Sequence, residues 1–145
     1  MISYEGCGCA GGQVTTVQSE SVPRDDQPNI NARRTQKIYA DILGRNYKTE
    51  VLNWDGTAPY TTTVQTFNGR DQVTNTRQYA GAAGSQTFQD VSVTYDGHGR
   101  MKTRRYPIED ANTETTWSYN TDDSIHEIID PRNAITNFTY NSRGL

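Results

Sequence analysis

Leucine is nearly missing from this chain, with three residues in 145, and Leu, Ile, Val and Phe together make only about 16% of it. So few long aliphatic side chains exclude a helical bundle, whose core needs them at helical spacing. A composition this poor in aliphatics goes with disorder only when net charge is also large. Here 14 basic residues face 17 acidic ones, a net charge of −3, so that half of the signature is absent. No excess of basic charge marks a nucleic-acid-binding face. No apolar run is long enough to span a membrane, and no charged-then-apolar leader opens the chain. Two Cys cannot build a disulfide framework, and two His leave little for a metal centre or a general base.

In place of aliphatics stand 20 Thr, 11 Asn and nine Tyr, beside 12 Gly and five Pro. Thr, Val, Ile, Tyr, Phe and Trp make about 35% of the residues. β-Branched and aromatic side chains suit a pleated, half-buried surface. The composition predicts an all-β chain with a thin core.

The chain repeats itself. Five segments share an aromatic residue, a short turn and usually a Gly–Arg pair: Tyr39 to Arg45, Phe67 to Arg70, Tyr95 to Arg100, Tyr119 to Asp123, and Tyr140 to Leu145. Their aromatics lie 28, 28, 24 and 21 residues apart. The run before each aromatic alternates, so Val91, Val93 and Tyr95 share one face of a strand. Asp or Asn then opens a type I turn, and Gly accepts the left-handed conformation that closes it, leaving a G1 bulge. Asp96 to Gly99 and Asn141 to Gly144 have this spacing. Gly44 serves the first turn, Asp123 stands in for Gly in the fourth, and Asn68-Gly69 predicts a tight two-residue loop. Pro107 and Asp130-Pro131 mark exits toward the next unit.

Each repeat is therefore expected to be an antiparallel hairpin. The aromatics Tyr39, Phe67, Tyr95, Tyr119 and Tyr140 are expected to form a buried ladder, with Gly44, Gly69, Gly99 and Gly144 at the turns. Residues 1–34 divide into an N-terminal strand and a polar linker with Pro23 and Pro28, while residues 35–145 hold the five hairpins. Ala80 to Ser85 predicts a flexible insertion. Hairpins bury apolar surface only by stacking. The chain halts at Leu145, where a return strand is expected to begin, which predicts a segment of a longer array. Open edges would pair with neighbouring repeats or with other copies.

Tyr95-Asp96-Gly97-His98-Gly99-Arg100-Met101 resembles the tyrosine–aspartate repeat of the Rhs/YD-repeat family. So does Ile129 to Leu145, with its Asp-Pro exit and closing Tyr-Asn-x-x-Gly-Leu. The resemblance covers about residues 35–145. It implies stacked hairpins in an open, spiralling or solenoid-like sheet, in a large secreted or surface protein of bacteria. It also implies a scaffold, a shell wall or fibre segment, rather than an enzyme.

Candidate chemistry is sparse. His98 near Asp96, and His126 near Glu127 and Asp130, could orient a general base, but His98 occupies a free turn position and His126 reads as a solvent-facing strand residue. Cys7 and Cys9, two apart, suit a crosslink, a disulfide within or between chains, a metal ligand pair, or two unpaired thiols, and the spacing leaves these open. Asp25-Asp26 and Asp122-Asp123 lack the alternating spacing of a calcium loop and read as solvated turns. Asn137-Phe138-Thr139 matches a glycosylation acceptor at a strand position. Trp54, Trp117 and the tyrosines could stack on sugars, making a glycan- or cell-surface-binding module the alternative function. No cofactor is expected.

Overall fold

The computed structural model describes residues 1–6, 12–19, 22–23, 31–107, 109, 113–141 and 144. Cys7, Cys9 and Asp25-Asp26 lie outside these residues.

Thirteen strands form among the described residues, and no helix. They are β1 (Ile2–Gly6), β2 (Gln13–Gln18), β3 (Val22–Pro23), β4 (Asn31–Ala32), β5 (Thr35–Ala40), β6 (Asn46–Leu52), β7 (Pro59–Phe67), β8 (Val73–Ala80), β9 (Phe88–Tyr95), β10 (Met101–Arg105), β11 (Thr115–Tyr119), β12 (Ile125–Ile129) and β13 (Ile135–Asn137). Eleven of them join one open sheet in the order β1-β2-β5-β6-β7-β8-β9-β10-β11-β12-β13. Within the stretch expected to be a linker, Val22–Pro23 pairs antiparallel with Asn31–Ala32. No helix among the described residues is long and apolar enough to cross a membrane.

From β5 onward each strand pairs with the next in sequence, most of them through short turns, while β2 pairs with β5 across the stretch that holds β3 and β4. The ladders are antiparallel, for example Tyr39 opposite Lys48 and Thr103 opposite Thr94. Register slips just past three of the turns, leaving Tyr47, Lys102 and His126 as extra residues on their strands. A bulge of this kind re-aims a side chain, and His126 lies exposed there.

The chain forms two compact units, one of Met1–Thr66 with Thr76–Gln89, the other of Phe67–Asn75 with Asp90–Leu145. The core is as thin as the composition predicts. Among the described residues Leu52 is the one buried apolar side chain, beside Thr35, Thr62 and Thr103. Threonine hydroxyls do part of what aliphatic burial does elsewhere. In the first unit, Thr62, wholly shielded from solvent, donates to the Gly81 carbonyl at 2.7 Å. In the second, the Thr94 and Thr103 hydroxyls meet across their strand pair at 2.8 Å. Such cross-strand pairs contribute about 0.2–1 kcal/mol each.

The connection from Ala80 to Ser85 is not the flexible insertion that its Gly and Ala content suggests. Gly81 N–H donates to the Tyr60 carbonyl at 3.0 Å, Ser85 N–H donates to Ala82 at 3.1 Å, and Ala80 N–H donates to Thr87 at 3.0 Å. Backbone groups near a sheet are satisfied by bonding, and these bonds hold the loop to β7 and to itself.

Candidate functional site

One turn design recurs along the chain. Asp or Asn at its first position accepts an N–H from the residue three later and donates its own N–H to the carbonyl four later. Asp41 pairs so with Gly44 and Arg45, Asn68 with Asp71 and Gln72, and Asp96 with Gly99 and Arg100. Asn120 does the same with Asp123 and Ser124, and Asp130 with Asn133 and Ala134. Two residues oppose one, which is the G1 bulge. The third position after the Asx must enter the left-handed region: φ is +78° at Gly44, +87° at Gly99 and +75° at Gly144. Asp71, Asp123 and Asn133 occupy it at 62°, 67° and 63°, since short polar side chains tolerate it best among non-glycines.

This corrects the reading of Asn68-Gly69. The loop has three residues, not two, and Asp71 rather than Gly69 takes the left-handed position. Asp130-Pro131, expected only as an exit, is a fifth copy of the same turn.

The Asx side chain completes each turn. Asp96 Oδ1 accepts the N–H of His98 and of Arg100, both at 2.9 Å. Its Oδ2 accepts Arg100 Nε at 2.8 Å and Nη2 at 2.7 Å. Asp41 repeats the arrangement with Leu43 and Arg45 N–H at 2.9 and 3.0 Å and Arg45 Nε at 2.7 Å. The turns of the second unit are also joined to one another. Gln72 Nε2 donates to the Gly99 carbonyl at 2.6 Å, and Arg100 Nη1 reaches Asp123 Oδ1 at 2.5 Å.

The repeat aromatics are not the buried ladder expected of them. Tyr39, Phe67, Tyr95 and Tyr119 are half-buried, and Tyr140 is 39% exposed. With so little apolar core to enter, three of them are instead anchored by their hydroxyls. Tyr95 donates to Val73 O at 2.9 Å, Tyr119 to Met101 O at 2.7 Å, and Tyr140 to Ile125 O at 2.8 Å. Each acceptor is the first strand residue after the preceding turn, so every hydroxyl ties one hairpin to the one before it. Tyr39 stands two residues before its turn Asp rather than one. Out of phase, it donates to Glu50 Oε2 at 2.7 Å, and Lys48 Nζ sits 3.6 Å from its ring centroid. Replacing Tyr119 by Phe is expected to cost about 1 kcal/mol in denaturant unfolding, because the Met101 carbonyl loses its partner.

The charges follow from these contacts. Burial opposes ionisation of Asp96, and the bonds from Arg100 and His98 overcome it, holding the carboxyl below its ordinary range. The Arg45 guanidinium lowers Asp41, and the Ser124 hydroxyl lowers Asp122. Burial of Glu50 is likewise outweighed by the Tyr39 hydroxyl and Lys48. Carboxyls depressed in the folded state contribute stability that is complete above their unfolded values and is lost as pH falls through the folded ones. Thermal melts are therefore expected to hold their midpoint from neutral pH down to about 4 and to fall below it. A midpoint unchanged under acid would refute the assignment.

In the first unit, aromatic side chains line two clefts that share Tyr60 and Thr61. One, of about 440 Å³, is walled by Tyr60, Gln78, Tyr79, Thr87, Phe88 and Gln89. The other, of about 420 Å³, is walled by Arg34, Leu52, Asn53, Trp54 and Tyr60. Tyr60 is 74% exposed, and Trp54 and Phe88 about half so. Tyr79 and Phe88 pack with centroids 5.9 Å apart. Arg77 lies over Phe88 at 4.2 Å and Arg34 over Trp54 at 5.4 Å. Of these residues the sequence singles out Trp54 by position and includes Tyr60 and Tyr79 only as tyrosines among others. Tyr60, Tyr79 and Phe88 carry no local signal, because the strand register brings them together.

Trp117, the other tryptophan singled out, is half-buried under Arg104 at 5.3 Å. His98 stands exposed at the turn. Among the described residues no three His, Cys, Asp or Glu side chains converge as metal ligands would. Asn137 is exposed in β13. No protein-family model and no curated protein matches this chain.

Proposed function

We propose that this chain is a non-catalytic scaffold of the Rhs/YD-repeat type, an extracellular bacterial segment of a shell wall or surface fibre, spiralling or solenoid-like in its array. The observation that carries the reading is the reuse of one Asx turn, with a tyrosine hydroxyl tying successive hairpins together. That is the arrangement of a unit built to be repeated, since each hairpin completes the bonding of its neighbour. Among the described residues the sheet order ends at β1 and β13, and further repeats or other copies would pair at these edges.

Light scattering of the purified chain, with and without reductant, tests the self-association. Assemblies that grow with concentration are expected. A chain that stays monomeric at every concentration would overturn it. Assemblies that reductant dissolves would make Cys7 and Cys9 the staple.

A second reading, a glycan-binding module, is supported by the paired clefts. Exposed ring faces stack on sugars, while Asn53, Gln78, Gln89 and the two guanidiniums can bond hydroxyls. Reproducible glycan-array signals lost in Trp54→Ala and Tyr60→Ala chains would favour it. Signals unchanged by both substitutions would remove the clefts from consideration.

A further inference from the structure

In the first three of these turns the residue four places after the Asx matches it in kind. Where the turn opens with Asp41 or Asp96, Arg45 or Arg100 follows and binds the carboxylate. Where it opens with Asn68, Gln72 follows: Asn68 Nδ2 donates to Gln72 Oε1 at 3.0 Å, which leaves Gln72 Nε2 to donate to the Gly99 carbonyl. The second turn is the neutral edition of the pair, and its amide sets which way Gln72 faces. Asn68 also precedes Gly69, and this is the one Asn-Gly step in the sequence. Gly69 is exposed, and a Cβ there would have open space around it. Asn68 Oδ1 accepts the N–H of Arg70 at 2.9 Å and of Gln72 at 3.1 Å.

We propose that Asn68-Gly69 is a self-modification site, where the asparagine converts to aspartate or isoaspartate and cuts the bond joining the second turn to the third. The backbone nitrogen of Gly69, after losing its proton to hydroxide, attacks Cγ of Asn68. The N–Cγ bond forms, negative charge gathers on Oδ1, and the two N–H donors there stabilise it as an oxyanion hole does. The Cγ–Nδ2 bond then breaks and ammonia leaves with a proton from water. Water opens the resulting five-membered imide at either carbonyl. The absent side chain at Gly69 leaves the attacking nitrogen unhindered.

The product has consequences that the contacts dictate. A carboxylate at position 68 has only acceptors to offer Gln72 Oε1. Gln72 must turn its Nε2 toward the new charge, and its oxygen then faces the Gly99 carbonyl. The link to the third turn is lost, and no Arg stands four places on to compensate.

The full chain is incubated in mildly alkaline buffer and mapped by peptide mass over time. The expected result is that the peptide holding Asn68 takes up the mass of amide-to-acid conversion before any of the ten other asparagines, and that Gly69→Ala slows this several-fold. Another asparagine converting first, or a Gly69→Ala rate equal to the parent's, would overturn the site. Thermal melts test the consequence separately. Asn68→Asp is expected to melt lower than the parent, because it loses the Gln72–Gly99 bond. If Asn68→Asp melts as the parent does, the severed link is refuted.

Discussion

Valine in place of Gly99 destabilises the chain by about 2 kcal/mol, because a β-branched residue resists the left-handed conformation that closes the turn. Gly99 sits at φ +87°, and a Cβ built there already stands 3.4 Å from Arg70 Nη1 and Gln72 Nε2. The valine methyls would press farther into the groups that join the second turn to the third. Equilibrium denaturation measures the effect. Gly97→Ala is the control, since Gly97 lies outside the left-handed region with nothing within 4 Å of its added carbon. A Gly99→Val midpoint equal to the parent's would remove the turn from the structure's supports.

Leu52→Ala is expected to cost about 2–3 kcal/mol, the low part of the range for burying and then deleting an aliphatic side chain. Leu52 is 8% exposed, opposite Pro59 at a register slip, in a chain where no other described apolar side chain is buried. Where hydrophobic burial is so concentrated, its removal cannot be absorbed by a neighbouring core. A loss below about 1 kcal/mol would mean that ladders and turn bonds carry the first unit without it.

The hairpins were legible in the residues. Val91-Ser92-Val93-Thr94-Tyr95 alternates with period 2, and Asp96 with Gly99 has the chemistry of one turn type. Both signals are local. Asn68-Gly69 misled because that dipeptide favours a two-residue loop, whereas Asp71 could take the left-handed position and bring the turn into line with the others. The buried aromatic ladder misled in another way. Burial requires a core to receive the rings, and three leucines in 145 residues do not build one.

What the sequence by itself determined is the all-β class, the turns that follow Tyr39, Phe67, Tyr95 and Tyr119, and the thinness of the core, because backbone preference and side-chain volume act over a few residues. The tertiary structure alone decided the acceptors of Tyr95, Tyr119 and Tyr140, the bonds from Gln72 to Gly99 and from Arg100 to Asp123, and the meeting of Trp54, Tyr60, Tyr79 and Phe88 around two clefts. Each of these depends on which strand lies beside which and in what register. That choice is made by the backbone ladders between strands, and a single register step would send every one of these side chains to the other face.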